Sequence, residues 1–335
     1  MIPQGAPDIS VVIVTWNGRR HLDTCLPALG AQQHVDFEVV LVDNASTDGT
    51  VAHVTTAYPW VRIVPLAENR GFAGGNNAGV RAATGRYVAL LNNDTRPDPR
   101  WLGTLRRAID TDPACGIVTS RVVYMHDPET LDSAGDGMTR WGGAFKRGHG
   151  QPASAFATSG EVFAACGAAC LLSRALFEEL GGFDEDFFVS HEDVDLSYRA
   201  QLGGYRCRYV ADAIVHHVGS ATMGPQSGLA IFHGQRNLEW VYVKNTPPGL
   251  VARTLPGHLL YDAAAAIYFA RHGHLGTFLR GKWAALRGLP AMLGRRRAVQ
   301  ATRRVSDADI WRQLEPGFVR LKLGEKRFDM GLARR

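Results

Sequence analysis

Short β-branched runs alternate with segments of helical period through the first third of the chain, and this alternation constrains the fold before any chemistry is considered. Ser10-Val11-Val12-Ile13-Val14-Thr15 is apolar on both sides of the pleat, the pattern of a strand covered on both faces. Trp16-Asn17-Gly18 turns the chain, and Leu22, Cys25, Leu26 and Leu29 then recur at helical spacing between Arg20 and Gln32. Val39-Val40-Leu41-Val42, Val61-Arg62-Ile63-Val64 and Tyr87-Val88-Ala89-Leu90-Leu91 read as further strands. Helices are expected over 47–58, 74–83 and, past the Pro97-Asp98-Pro99 break, 100–110, with another strand beginning at Gly116. Strand, crossover helix and strand in succession imply a right-handed, Rossmann-like α/β architecture, a mostly parallel sheet flanked by helices.

Three acidic clusters follow apolar, strand-like runs: Asp43-Asn44-Ala45-Ser46-Thr47-Asp48, Asn92-Asn93-Asp94-Thr95 and His191-Glu192-Asp193-Val194-Asp195. The carboxyl ends of parallel strands share one edge, so Asp43, Asp94 and Asp193 are expected to meet in one cleft. Asp43 is placed to accept hydrogen bonds from a base or ribose, while Ser46, Thr47 and Asp48 suit a helix N-cap. Asp94 offers the hard oxygen that Mn²⁺ or Mg²⁺ prefers, those ions keeping water and phosphate oxygens as their other ligands; Asn93 would be a ribose or secondary contact. The competing reading is an Asn-Asp turn.

Asn69-Arg70-Gly71-Phe72-Ala73-Gly74-Gly75-Asn76-Asn77-Ala78-Gly79 lacks G-x-G-x-x-G spacing but enters a helix through glycine. Gly74 would let backbone N–H groups approach a nucleotide and Arg70 would add a cation, or the glycines serve close helix packing. Asp193 is expected at the start of a helix that Gly203-Gly204 ends, where the dipole would lower its pKa and keep it ionised as a base. Asp195, two residues on, is assigned to structural bonds. One of His216 and His217 is a candidate third metal ligand.

Composition, 45% hydrophobic and 21% charged over 335 residues, is that of a globular chain, and the net charge of +5 suits a polyanion, an anionic membrane or a phosphorylated substrate. Five cysteines without a C-x-x-C pair, and no cationic apolar leader, suggest a reducing, cytoplasmic address. The longest approach to a membrane span, Leu255 to Ala270, is interrupted by His258 and Asp262. The segment 141–160 is rich in Gly, Ala and Ser and reads as a mobile loop over the site. Past Ile231 the pattern turns helical, dividing the chain into 1–230 and a basic, amphipathic 231–335. No acid occurs between Arg271 and Arg304, and Leu275, Phe278, Leu279, Trp283, Leu286 and Leu289 recur at helical spacing, with Lys282 spoiling the stripe unless it snorkels. That segment, 271–304, either touches an anionic membrane peripherally or packs on the catalytic part with its basic face in water.

Taken together, V-T-W-N, V-D-N-A-S-T-D-G-T, N-R-G-F-A-G-G-N-N-A-G, L-N-N-D-T, H-E-D-V-D-L and H-H-V-G-S-A-T resemble family 2 glycosyltransferases, in particular bacterial rhamnosyltransferase-like members, over residues 9–225. The resemblance implies a GT-A fold, a nucleotide-diphosphate sugar donor such as dTDP-rhamnose or a UDP-sugar, a divalent ion, Mn²⁺ or Mg²⁺, and inversion at the anomeric carbon. It implies as acceptor a glycan or a polyprenyl-diphosphate-linked glycan in cell-surface polysaccharide synthesis. Position by position, Thr15 and Asn17 would border the nucleotide, Asp43 bind its base and Arg70 flank it. Asn93 stands at the first position of the family's D-x-D-like pair and Asp94 at its metal-binding last. Asp193 matches the acceptor-activating base with Glu192 beside it. The H-x-G-x-x-S/T ending fits His217, Gly219 and Thr222 better than a frame begun at His216. Asn92 and Asn93 depart from the fully acidic pattern. Competing functions are a sugar-phosphate nucleotidyltransferase, for which Trp16-Asn17-Gly18-Arg19-Arg20 is a faint phosphate signature, and an inactive carbohydrate-binding homologue, against which Glu192-Asp193 stands. No nucleic-acid module is recognised, and no nucleic-acid partner is expected.

Overall fold

The computed structural model describes residues 5–219 and 227–317, with 324, 325 and 328. Strands β1 (Ile9–Thr15), β2 (Phe37–Asp43), β3 (Arg62–Pro65) and β4 (Tyr87–Leu91) alternate with α1 (Arg19–Gly30), α2 (Thr50–Ala57) and α3 (Gly71–Ala82). They pair in parallel in the order β3-β2-β1-β4. Next come β5 (Thr95–Pro97), α4 (Trp101–Asp110) and the long β6 (Cys115–Tyr124). Four short strands follow: β7 (Leu131–Ser133), β8 (Asp136–Met138), β9 (Ala144–Lys146) and β10 (Gly160–Val162). β11 (Ala169–Ser173) then inserts antiparallel between β4 and β6. After α5 (Arg174–Glu179) and α6 (Glu192–Leu202), β12 (Arg206–His217) pairs parallel to β6. Because β11 opposes both its neighbours, β6 and β12 run in the direction of β1, β2 and β4. Their carboxyl ends therefore share one edge.

Two apolar layers enclose the sheet. Val11, Ile13 and Leu41 pack one face on Leu22, Leu26 and Trp101, and Val12, Val40 and Val42 pack the other on α3. Burial on both faces explains why these runs are continuous rather than alternating. A Cβ on Gly75 would lie 2.6 Å from Val14 Cγ1, and one on Gly79 would lie 2.3 Å from Val12 Cγ1. These two glycines bring the α3 backbone against the sheet.

The segment 141–160 is not a free loop. β9 pairs with β8, and the peptide groups of Arg147 and Gly150 bond to Gly135 and Leu131. Its strands are only three residues long, so no apolar period marks them, and its glycines supply positive-φ turns at Gly142, Gly148 and Gly150.

Helices α7 (Gly228–Asn245), α8 (Pro248–Arg271), α9 (Leu275–Ala301) and α10 (Asp307–Gln313) complete the described chain. Leu238, Val241 and Met292 share a buried cluster with Phe187, Val194 and Tyr198 of the α6 region. Part of the basic segment faces inward: Arg295 pairs with Asp184 and Asp186 at 2.5 Å, and Arg296 bonds to the Val243 and Thr246 carbonyls at 2.6 Å. Among the described residues, no helix is long and apolar enough to cross a membrane.

Candidate active site

Thr15 and Asp43 end neighbouring strands in register. Asn93 Nδ2 donates to Thr15 Oγ1 at 2.8 Å, and a Cβ on Gly18 would fall 2.1 Å from that nitrogen, so the turn after β1 closes over Asn93 only with glycine there. Asn17, at φ 51°, accepts from Thr47 N at 2.7 Å and donates its own N–H to Ser46 Oγ at 2.9 Å. Ser46 and Thr47 thus lock two turns together rather than cap α2, whose first turn is bonded by Asp48 alone of the three. Asp43 Oδ2 accepts from Ser46 N at 3.1 Å, while its buried Oδ1 has no hydrogen-bond partner among the described residues. A buried carboxylate oxygen left bare costs stability unless a ligand donor completes it.

Arg70 and Gly74 lie side by side, with Glu185 next to them. The Arg70 guanidinium pairs with Glu185 at 2.5 Å, and a Cβ on Gly74 would sit 2.7 Å from Arg70 Cβ. At the entry to α3, Gly71 N donates to Asn69 Oδ1 and Ala73 N to the Phe188 carbonyl.

The β5–β12 pairing sets His217 opposite Thr95, next to Asp94. His217 Nε2 lies 3.2 Å from Asp94 Oδ1, and its Nδ1 lies 2.8 Å from Asp132 Oδ2. Asp132 also takes Lys146 Nζ at 2.8 Å. Burial alone would lower the His217 pKa, but the two carboxylates outweigh it and raise it to about 9. Burial likewise opposes ionisation of Asp94, yet His217 holds its carboxyl below the usual range. His216 points the other way along the strand, 3.3 Å from Asp98. Thr222 lies outside the described residues.

A carboxylate oxygen facing an imidazole nitrogen, with the other ring nitrogen tied to a second carboxylate, is a donor set that fits a divalent ion. Asp94 and His217 would hold it and Asp132 would orient the ring. The remaining positions suit water and phosphate oxygens.

The third acidic cluster does not end a strand. It opens α6 after a one-turn 3₁₀ helix at Glu185–Phe187, and Phe188, Ser190 and His191 all have positive φ. The apolar residues before it, Phe187, Phe188 and Val189, form this turn. Asp193 Oδ2 accepts from Gly167 N at 2.8 Å and Oδ1 from Val194 N at 2.8 Å. The next residue after Gly167, Ala168, accepts from Asn92 N at 2.9 Å, so a single step of chain joins Asp193 to the Asp94 loop. Burial raises the Asp193 pKa despite those two N–H donors, which reverses the lowering expected from the helix dipole. Glu192 is 5% exposed, its Oε2 has no partner among the described residues, and burial with Asp193 beside it pushes its carboxyl well up. Burial and the neighbouring Asp193 thus both favour the neutral form of Glu192. Asp195 points elsewhere, bonded to Lys244 at 2.7 Å, Asn245 at 2.8 Å and Arg199 at 2.9 Å.

Several members of the site carry no sequence signal of their own. Asp132, Lys146 and Gly167 come from the antiparallel excursion between β6 and β11. Asn237, on α7, donates to the carbonyls of Phe187 (2.9 Å), Val189 (2.9 Å) and Ser190 (2.7 Å), and Arg236 to those of Asp186 and Phe187. The helical region thus fastens the strained turn that delivers Asp193. Polar residues among the buried positions of α7, Asn237 with Lys244 and Asn245, are the available clue.

The sheet, its shared carboxyl edge and the acidic cluster on it are those of a GT-A glycosyltransferase fold. A family model described as Glycosyl transferase family 2 matches residues 10–181, just over half of the chain, and the chain belongs to that family. An N-acetylglucosaminyl-diphospho-decaprenol L-rhamnosyltransferase of Mycobacterium tuberculosis is 28% identical over 255 residues, 67% of this chain and 81% of that protein. The succinoglycan biosynthesis protein ExoO of Rhizobium meliloti is 39% identical over 113 residues, 33% of this chain and 31% of that protein. Among solved structures, GalNAc-T7 with UDP, GalNAc and Mn²⁺ aligns with a TM-score of 0.57 at 16% identity, over 72% of this chain. The chain spans only about half of that structure, 48%. A mannosyltransferase of Pyrobaculum calidifontis with GDP-Man and Mn²⁺ aligns at 0.51 and 22% identity, over 92% of this chain and 88% of that one. At these identities the two structures speak for the fold.

Proposed function

We propose that the chain transfers a sugar from a nucleotide-diphosphate donor, dTDP-rhamnose or a UDP-sugar, to a hydroxyl of a glycan borne on a polyprenyl diphosphate, with inversion. Cell-surface polysaccharide synthesis at the cytoplasmic face of the membrane is its setting, with 1–230 as the transferase unit and 231–335 as its helical region. One observation carries this reading: Asp193 and the Asp94–His217–Asp132 chain lie on either side of the Gly167-Ala168 step. The name of the Mycobacterium relative supports the rhamnosyl and lipid-linked parts.

In this mechanism Asp43 Oδ1 accepts from the nucleotide base, while Thr15, Asn17 and Asn93 shape the wall beside the ribose. Asp193 takes the proton of the acceptor hydroxyl, its raised pKa making it a stronger base than an exposed aspartate. The freed oxygen bonds to the anomeric carbon from the side opposite the diphosphate, whose bond to that carbon breaks. Glu192, which burial and Asp193 push toward its neutral form, stands beside the base. Asp94 and His217 would hold a divalent ion, which when bound would neutralise charge on the departing diphosphate.

A panel of dTDP-, UDP- and GDP-sugars, assayed with Mn²⁺, Mg²⁺ or chelator and read by NMR of the product's anomeric configuration, tests the reading. Inverted product that depends on added metal is expected. A retained configuration, or full turnover in chelator, would overturn it.

A further inference from the structure

The α8–α9 hairpin is built inside out relative to a helix pair in water. On its inner side, Lys282 Nζ meets Glu239 at 2.5 Å and Asp262 at 2.6 Å, and His258 Nε2 meets Glu239 at 3.0 Å. The two residues that interrupt the apolar run 255–270, His258 and Asp262, are therefore turned inward. The outer side of α8 carries Leu255, Leu259, Leu260 and Ile267, with Leu260 60% exposed. On α9 the exposed residues include Leu279, Trp283, Leu286 and Leu293, with Trp283 63% exposed. Leu259 lies one turn from Asp262, and Leu279 and Leu286 lie one turn to either side of Lys282, so the Asp262–Lys282 pair marks the border between the buried side and the exposed stripes. Asp262 and Lys282 touch, so the two apolar stripes adjoin.

Charge decides what covers this face. From Pro248 to Ala301 the only acid is Asp262, and Lys282 takes it. Arg253, Arg271, Arg280, Arg287 and Arg297 are exposed around the leucines. A second copy of the chain would press arginine against arginine with no carboxylate to answer. A bilayer with anionic headgroups supplies both an apolar layer and negative charge. We propose that the outer face of the α8–α9 hairpin is a monotopic membrane-docking surface for anionic lipid. The proposal gives a reason for a lipid-linked acceptor and in that sense rests on the function above, but its test does not use sugar transfer.

The full-length protein is floated at low salt with vesicles of phosphatidylglycerol and phosphatidylcholine in equal parts, and with phosphatidylcholine alone. Flotation with the mixed vesicles is expected, falling about tenfold or more without the anionic lipid or at high salt. L259E/L260E and W283E should each reduce it similarly while keeping the wild-type thermal midpoint and transfer to a soluble acceptor. Substitution of surface leucines leaves the fold intact, and W283F, conservative in size, should still float. No flotation at low salt, flotation indifferent to these variants, or a dimer that L259E/L260E dissolves would overturn the proposal. Flotation without any transfer activity would leave it standing and remove the function instead.

Discussion

The catalytic edge and the helical hairpin each bury a cluster of carboxylates and a histidine, but only one leaves atoms unfinished. At the edge, Asp43 Oδ1 and Glu192 Oε2 lie buried with no partner among the described residues. Between α7 and the hairpin, ligand atoms of Glu239, His258 and Asp262 lie within 4.8 Å of one another, as a metal site would require, yet the Lys282 ammonium already answers both carboxylates. His258 is bonded on both ring nitrogens, to Trp141 O and Glu239. A satisfied cluster stabilises a fold, while a cluster with orphaned atoms awaits a ligand. The outer surfaces differ in the same sense, since the hairpin turns leucine rather than carboxylate outward.

The largest effect that would break this contrast lies at Asp193. D193N should lower kcat by about 10²–10⁴-fold while donor binding by calorimetry is retained. Because the base acts deprotonated and burial raises its pKa, the acid limb of wild-type kcat should lie above the range of an ordinary aspartate. A limb near 3.8 would count against that assignment.

Next in size is the pH dependence of stability in chelated protein. His217 has a folded pKa raised from 6.5 to about 9, so its contribution is fully present below 6.5 and lost as pH rises through about 9. The shift corresponds to at most roughly 3 kcal/mol. Thermal midpoints should fall across that window in the wild type and stay flatter in H217N.

Smaller effects sharpen the comparison. D132N should weaken Mn²⁺ affinity about 10–100-fold by freeing the His217 ring, whereas E239Q should leave it unchanged. E239Q should instead destabilise the fold by about 1–3 kcal/mol in denaturant titration. N237A should loosen the turn before Asp193, lowering kcat by about tenfold with little change in donor Kd. An effect on donor Kd alone would assign Asn237 elsewhere.

Much of the sheet was legible because its signals are local. β1, β2 and β4 are continuous apolar runs, and Thr15, Asp43 and Asp94 stand at or just past their ends, where a parallel sheet collects them. The turn before Asp193 was misread as following a strand because Phe187-Phe188-Val189 is as apolar as a strand end, and only Asn237, some fifty residues away, shows that it is folded otherwise. Asp132 and Lys146 sit on three-residue strands too short for any period. The ion pair of Arg70 with Glu185 was not legible, because the two residues are 115 positions apart in sequence. The hairpin's outer face was half visible: α9's stripe was recognised, but His258 and Asp262 masked α8's until helical geometry turned them inward.

Anomalous diffraction from crystals grown with Mn²⁺ and dTDP addresses the division between the two clusters most directly. One manganese peak shared by Asp94 Oδ1 and His217 Nε2 is expected, with the diphosphate beside it on the side of Gly167 and Asp193. A peak in the Glu239–His258–Asp262 cluster with none at Asp94, or a diphosphate bound away from Asp193, would contradict it.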